Sequence, residues 1–265
     1  MSNRFGFNAP GQKPLEDYIR WAGAHGFHYI DFNADRAPNT LTSFDQKRVT
    51  KTRHLCDKYR VQIGLHPTSA INNAEDVPIM RESVDEYLFA NLDLAQQLGA
   101  GWLIAHGGYH FGDLERRLPA SLSRIQRLTE RAEQKHIEIF LENHNKEPDR
   151  SEIHYLPHNV EETRRFLDAL TSPNLKWAFN APHGHLVPEG WPGFLDAFGA
   201  DRIGQVRLND NNGQHEAHLV PGEGNIDFPA LFARLRKENY LGWFSLGFGT
   251  ENDKIRIRDQ FEKLL

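Results

Sequence analysis

Eight short apolar runs recur along the chain at intervals of roughly 25–40 residues. They read RFGFNA, YIDFNA, QIGLHPT, GWLIAHGG, IEIFLENHN, LKWAFNAPH, IGQVRLNDNN and GWFSLGFG. A continuous apolar run suits a strand covered on both faces, as in a parallel sheet flanked by helices. Helical patterns fill the intervals, at 14–26, 43–60, 84–100, 118–136, 159–170, 191–200, 227–240 and 253–265. In 84–100 and 118–136 the apolar residues fall at i, i+3, i+4 and i+7. Pro14 marks a helix start, Gly26 a helix end, and Ser43 is the expected cap of the second helix. Eight strand–helix alternations predict an α/β protein with a (β/α)8 barrel, a single domain over residues 1–265. That length is close to the roughly 250 residues such a barrel needs. No G-x-G-x-x-G turn follows the first run, which argues against a dinucleotide-binding open sheet.

Composition narrows the partners. The net charge is −5, which disfavours nucleic acid, whose affinity comes from neutralising phosphates. The N-terminal stretch MSNRFGFNAPGQ lacks the apolar core of a signal peptide, and no run is long enough to span a membrane. A cytoplasmic protein with no membrane partner is the expectation. The single cysteine, Cys56, lies in the helical pattern TKTRHLCDKYR, so it reads as a small apolar residue rather than a nucleophile.

In such a barrel the C-terminal strand ends carry the site. Here they hold His66, His106, Glu142, Asn180, His183, Arg207 and Asp210, while the last run ends on Gly247 and Gly249. Glu142 follows IFL directly, and an ionised carboxylate there is costly without a partner. Either histidine, His66 or His106, could simply cap a loop. Glu216 and His218 alternate at i and i+2 in GQHEAHLVPGEGNIDF, which suits metal or polyhydroxyl binding, although an exposed loop with incidental charges reads the same way. Gly222 and Gly224 fit a tight turn. The connections 67–83, 107–117, 183–191 and 211–226 are long enough to be functional loops or lids.

LEN at Glu142, NAPH at 180–183, RLNDNNG at 207–213 and EAHLVPGEGNIDF at 216–228 resemble the xylose isomerase-like TIM barrel superfamily, over essentially the whole chain. That superfamily includes sugar-phosphate isomerases and epimerases, ketose 3-epimerases, inosose dehydratases and zinc-dependent nucleases of abasic DNA. The resemblance implies a divalent metal held by Glu, Asp, His and Glu at the ends of strands five to eight. Glu142 matches the first. Asn180 stands for the Asp, Arg207 for the His and Gly247 for the last Glu, so the metal site is degenerate. Arg207 stays protonated and cannot ligate a metal. Three carboxylates with a divalent ion leave one net negative charge, whereas Glu142 and Arg207 sum to zero. No cofactor is therefore expected. The alternative is Zn or Mn in one of two further ligand groups, His66/His106/Glu142 or His183/Glu216/His218, which match zinc sites of the nucleases.

The resemblance implies an isomerase/epimerase-like or lyase-like enzyme that abstracts a proton next to the carbonyl of a small keto-sugar or inosose. Glu142 would be the base, Arg207 the electrophile replacing the metal, and His183 a proton shuttle. His66, His106, Asn180, Asp210, Glu216 and His218 would bind substrate. The missing second glutamate favours one-base isomerisation or elimination. The competing reading is a non-catalytic sugar-binding barrel or partner subunit. Homo-oligomers are expected by analogy with related barrels.

Overall fold

The computed structural model describes residues 4–265. Eight parallel strands close into a barrel: Phe5–Asn8, Tyr29–Phe32, Gln62–Leu65, Trp102–Ala105, Glu138–Glu142, Leu175–Asn180, Ile203–Leu208 and Trp243–Leu246. The first strand pairs with the second and closes on the eighth, from Phe5↔Phe244 to Phe7↔Leu246. All eight are the apolar runs of the sequence, and helices wrap the barrel in every expected interval.

Helix starts differ from expectation. The second helix, Gln46–Tyr59, is capped by Asp45, whose carboxylate accepts the Arg48 amide, while Ser43 sits in a preceding 3-10 turn. The third begins at Pro78 rather than 84, since proline is tolerated where a helix has no amide to satisfy. The fourth begins at Leu114 and carries Pro119 inside it. Two short strands lie outside the barrel. Gly108–His110 and His154–Leu156 pair antiparallel, and Gly107 N–H donates to Leu156 O, which ties them to the C-terminal end of strand four.

Residues two apart on a strand face the same side, and this builds the interior in layers. At the strand starts Tyr29, Trp102, Phe140 and Ala178 form, with Ile104 above them, a cluster of their own, and Trp243 packs against it. Gly64 makes room, since a Cβ there would collide with the Trp102 indole. Two residues further along come Asp31, Ile104, Glu142, Asn180 and Ser245, with Arg207 beside Asn180 and Ser245, while Gln205 lies a layer below beside Ala178 and Trp243. The aromatic layer closes one end, so the polar residues above it face a single mouth. Cys56 packs half-buried against the outer core, and burial pushes its thiol up to about 12, which fits the non-nucleophilic reading.

The loop after strand three is fastened to the site. Asn73 Nδ2 donates to His106 O at 2.7 Å. Arg124, buried on the fourth helix, donates to the carbonyls of Asn73, Glu75 and Arg81 and to Asp85. Replacing it strands those carbonyls. Arg124→Met is expected to lower stability by about 2–3 kcal/mol, read as a fall in the urea midpoint with an unchanged slope. An unchanged midpoint would show that the loop is held by other contacts.

Candidate active site

The centre of the mouth is Glu142, at the end of the fifth strand and 3% exposed. Its Oε1 accepts Asn180 Nδ2 at 2.8 Å and faces Arg207 Nε at 3.3 Å. Its Oε2 is buried between two imidazoles, with His66 Nε2 at 3.4 Å and His106 Nε2 at 3.6 Å, longer than a well-formed hydrogen bond. The two imidazole nitrogens are 3.2 Å apart. Burial would raise the Glu142 carboxyl, but the Arg207 guanidinium and the two histidines overcome it and hold the group well below the usual carboxylate range. His66 is pushed down by burial and by Arg207, so it is neutral.

Arg207 is fixed from behind by a residue the sequence reading passed over. Asp31, fully buried in the second strand, accepts only from donors: Trp102 Nε1 at 2.8 Å, Gln205 Nε2 at 3.0 Å, Ser245 Oγ at 2.9 Å and Arg207 Nη1 at 3.1 Å. Arg207 Nη1 also donates to Gln205 Oε1 at 2.9 Å. The Nη2 arm has only a 3.4 Å contact with His66 Nδ1. Glu142 and Asp31 against Arg207 leave one net negative charge, which corrects the neutral count drawn from strand ends alone.

A second group adjoins the first. His183 Nδ1 meets the Asn143 carbonyl at 2.8 Å, and its Nε2 meets Glu216 Oε1 at 2.7 Å. Both of these partners are acceptors and favour a proton on each nitrogen, while Asn180 Nδ2, a donor, also lies 3.3 Å from Nε2. Burial opposes this, but Glu216 and Glu142 outweigh it and raise His183. Glu216 also holds His218 Nε2 at 3.0 Å, and the paired imidazoles keep its carboxyl far below the usual range despite burial. His218 in turn is raised, chiefly by its bond to Glu216.

These groups line one cavity of about 270 Å³, with Asn8, Asn33, Thr68, Asn209 and His144 completing much of its wall. That volume is at the small end for a small-molecule site, where roughly 300–1,000 Å³ is usual. Gly247 opens the wall, since a Cβ there would meet nothing closer than 3.9 Å. His66, His106, Glu142, Asn180, His183, Arg207, Glu216 and His218 all come together as the sequence suggests. Asp210 does not. Its carboxylate accepts the amides of Asn211, Gly222, Gly224 and Ile226, so it organises the PGEGNIDF turn instead of binding substrate. The glycines serve that turn: Gly222 has a φ of 99°, and a Cβ on Gly224 would collide with the Asp210 carboxylate. Asp31 and His144 were missed. A lone charge inside the run YIDF, and a histidine two residues beyond Glu142, were the available signals.

The four positions where the resemblance implies metal ligands do not fit a metal here, because Arg207 is a cation and Gly247 has no side-chain donor. The trio of His66, His106 and Glu142 does fit one. Bonds of about 2.0–2.1 Å in a tetrahedron place ligand atoms about 3.3 Å apart, and the three donor atoms lie 3.2, 3.4 and 3.6 Å from one another. Glu142 Oε2, buried between the two imidazoles, is one of them.

A closed parallel barrel with histidines and carboxylates converging at its mouth defines a small-molecule site on a TIM barrel. The chain belongs to the xylose isomerase-like TIM barrel family, whose sequence profile matches residues 19–264. It is 29% identical to an L-ribulose 3-epimerase of Methylomonas sp. (strain DH-1) over 84% of this chain and 74% of that one. It is likewise 29% identical to an uncharacterised protein of Methanocaldococcus jannaschii over 83% of this chain and 75% of that one. Among solved structures, a D-tagatose 3-epimerase-like protein superposes with a TM-score of 0.85 at 23% identity, covering 98% of this chain and 96% of that one. D-psicose 3-epimerase from Clostridium cellulolyticum H10 does so at 0.80 and 15%, covering 98% of both. At these identities the superpositions establish the fold. The family and its relatives support an enzyme of this superfamily, as the motifs implied. Among the described residues no helix is long and apolar enough to cross a membrane.

Removing Arg207 would leave Asp31 and Glu142 buried against each other. Arg207→Met is expected to cost about 3–5 kcal/mol near neutral pH. Glu142 is held low, so its contribution is present above the unfolded carboxylate value and lost as pH falls through the folded one. Without Arg207 the main cause of that lowering disappears, so the deficit should shrink as pH drops toward about 4. Denaturant melts of both proteins across pH 4–8 would read this out, and a pH-independent deficit would contradict it.

Proposed function

We propose that the protein is an isomerase or epimerase acting on a small, neutral keto-sugar by moving a proton next to its carbonyl. The observation that carries the reading is the buried Glu142 carboxylate, its Oε2 between the His66 and His106 imidazoles and its Oε1 beside a guanidinium shared with Asp31. Arg207 is the one Arg or Lys among the described residues of the cavity wall. Its attachment to Asp31 and Glu142 leaves no free cation for a phosphate or carboxylate group. Amides and imidazoles, which pair well with hydroxyls, make up much of the remaining wall. The names of the relatives point to ketose 3-epimerisation rather than elimination.

In this mechanism the sugar carbonyl oxygen takes a hydrogen bond from the Arg207 Nη2 arm, which stabilises the enediolate as charge builds on oxygen. Glu142 Oε2 accepts the proton from the adjacent carbon. Its low basicity makes the stabilisation by Arg207 essential rather than auxiliary. His183, doubly protonated between Asn143 O and Glu216, is the acid that returns a proton. It supplies a second proton-transfer group in spite of the glycine at 247, so the site is not limited to one-base chemistry. A divalent ion held by His66, His106 and Glu142 would supply Lewis-acid polarisation of a sugar oxygen at the same place. With such an ion bound, Glu142 Oε2 would be a ligand, and Glu216 would be the carboxylate left for proton transfer.

Incubation of D-tagatose, D-psicose and L-ribulose with the protein in deuterated water is expected to exchange a carbon-bound proton, followed by NMR. Glu142→Gln should slow that exchange by at least about a hundredfold. Binding of the sugars without exchange would favour the sugar-binding barrel, and neither binding nor exchange would refute the sugar reading.

A further inference from the structure

We infer that His144 is a substrate-binding residue, a neutral imidazole whose Nε2–H donates to an oxygen of the bound sugar. The inference rests on the sugar reading above and adds a donor that lies outside both histidine–carboxylate groups.

The tautomer is set by the chain itself. His144 Nδ1 accepts the amide N–H of Asn145 at 3.0 Å. A nitrogen that accepts carries no proton, so the ring's single proton is on Nε2. Among the described residues no acceptor meets that Nε2, although the ring forms part of the cavity wall. The other four cavity histidines are engaged with carboxylates: His66 and His106 with Glu142, His183 and His218 with Glu216. His144 has no such partner, and its donor is left for whatever fills the cavity.

The ring is also held rigidly. It stacks on Tyr155 at 4.0 Å and 19°, and on His183 at 5.4 Å and 21°. His106 meets it edge-on at 5.1 Å. Its own amide donates to Pro157 O at 2.7 Å, which ties the loop after strand five to the strand pair over the mouth. A donor fixed on several sides loses little entropy when it bonds a ligand. Hydroxyl and carbonyl oxygens both accept such a bond, whereas a cationic group would be refused.

The test is calorimetric binding of D-tagatose, D-psicose and L-ribulose to the wild type and three variants. His144→Phe keeps the aromatic stack and removes the donor, and it should weaken the best-bound sugar about tenfold. His144→Gln reaches the Nε2 position with an amide N–H, while His144→Asn reaches only the Nδ1 position. Both lose the stack, so affinity should be higher in the Gln variant than in the Asn variant. Equal affinity of wild type and His144→Phe would overturn the inference while leaving the sugar reading intact. Equal loss in Gln and Asn would overturn it too, by showing that only the stack matters. A wild type that binds none of the three sugars would overturn the sugar reading and this role with it.

Discussion

One guanidinium held between two buried carboxylates determines what this barrel mouth can do. Arg207 reaches Asp31 below and Glu142 above, and each of the three is almost wholly buried. Burying a charge is costly unless it is paired and hydrogen-bonded. Here Gln205, Ser245 and Trp102 complete the shell of Asp31, and Asn180 shares Glu142 Oε1. The remaining oxygen of Glu142 lies between the His66 and His106 imidazoles. Asp31, Arg207, Glu142 and Asn180 thus form one interlocked set.

The aromatic layer beneath supports this arrangement. Trp102 belongs both to the closed end of the barrel and to the shell of Asp31, because its indole N–H is the polar tip of a ring otherwise packed on Tyr29 and Phe140. Packing in the lower barrel therefore fixes Asp31, Asp31 fixes Arg207, and Arg207 fixes the charge state of Glu142. At the rim the contacts are looser and mostly local. Glu216 and His218 sit on the 211–226 connection, which is tied down by the Asp210 turn and an isolated bridge from Asp210 to Leu219. The two carboxylates of the cavity are thus held by different devices, one by the barrel and one by a loop.

Much of this was legible in the chain. Strands buried on both faces leave continuous apolar runs whose polar ends face the mouth, so Glu142, Asn180 and Arg207 are placed by the sequence alone. Asp31 was not, because it lies inside its run, where attention to run ends passes over it. An inward position in an apolar strand should itself have demanded partners. Asp210 was misplaced for the opposite reason: it follows a run end, but the chain turns there and the carboxylate serves four amides. The strands Gly108–His110 and His154–Leu156 are three residues each, too short to show a period. The tautomer of His144 depends on a local bond to the next amide, which no spacing encodes.

We propose that Arg207 stands in for a metal ion, so that any ion binds on the other side of Glu142. Crystals soaked in zinc or manganese and measured by anomalous diffraction give the decisive result. Any strong peak is expected among His66, His106 and Glu142, with Arg207 still bridging Asp31 and Glu142. A peak between Glu142 and Asn180, with the guanidinium swung away from Asp31, would contradict it.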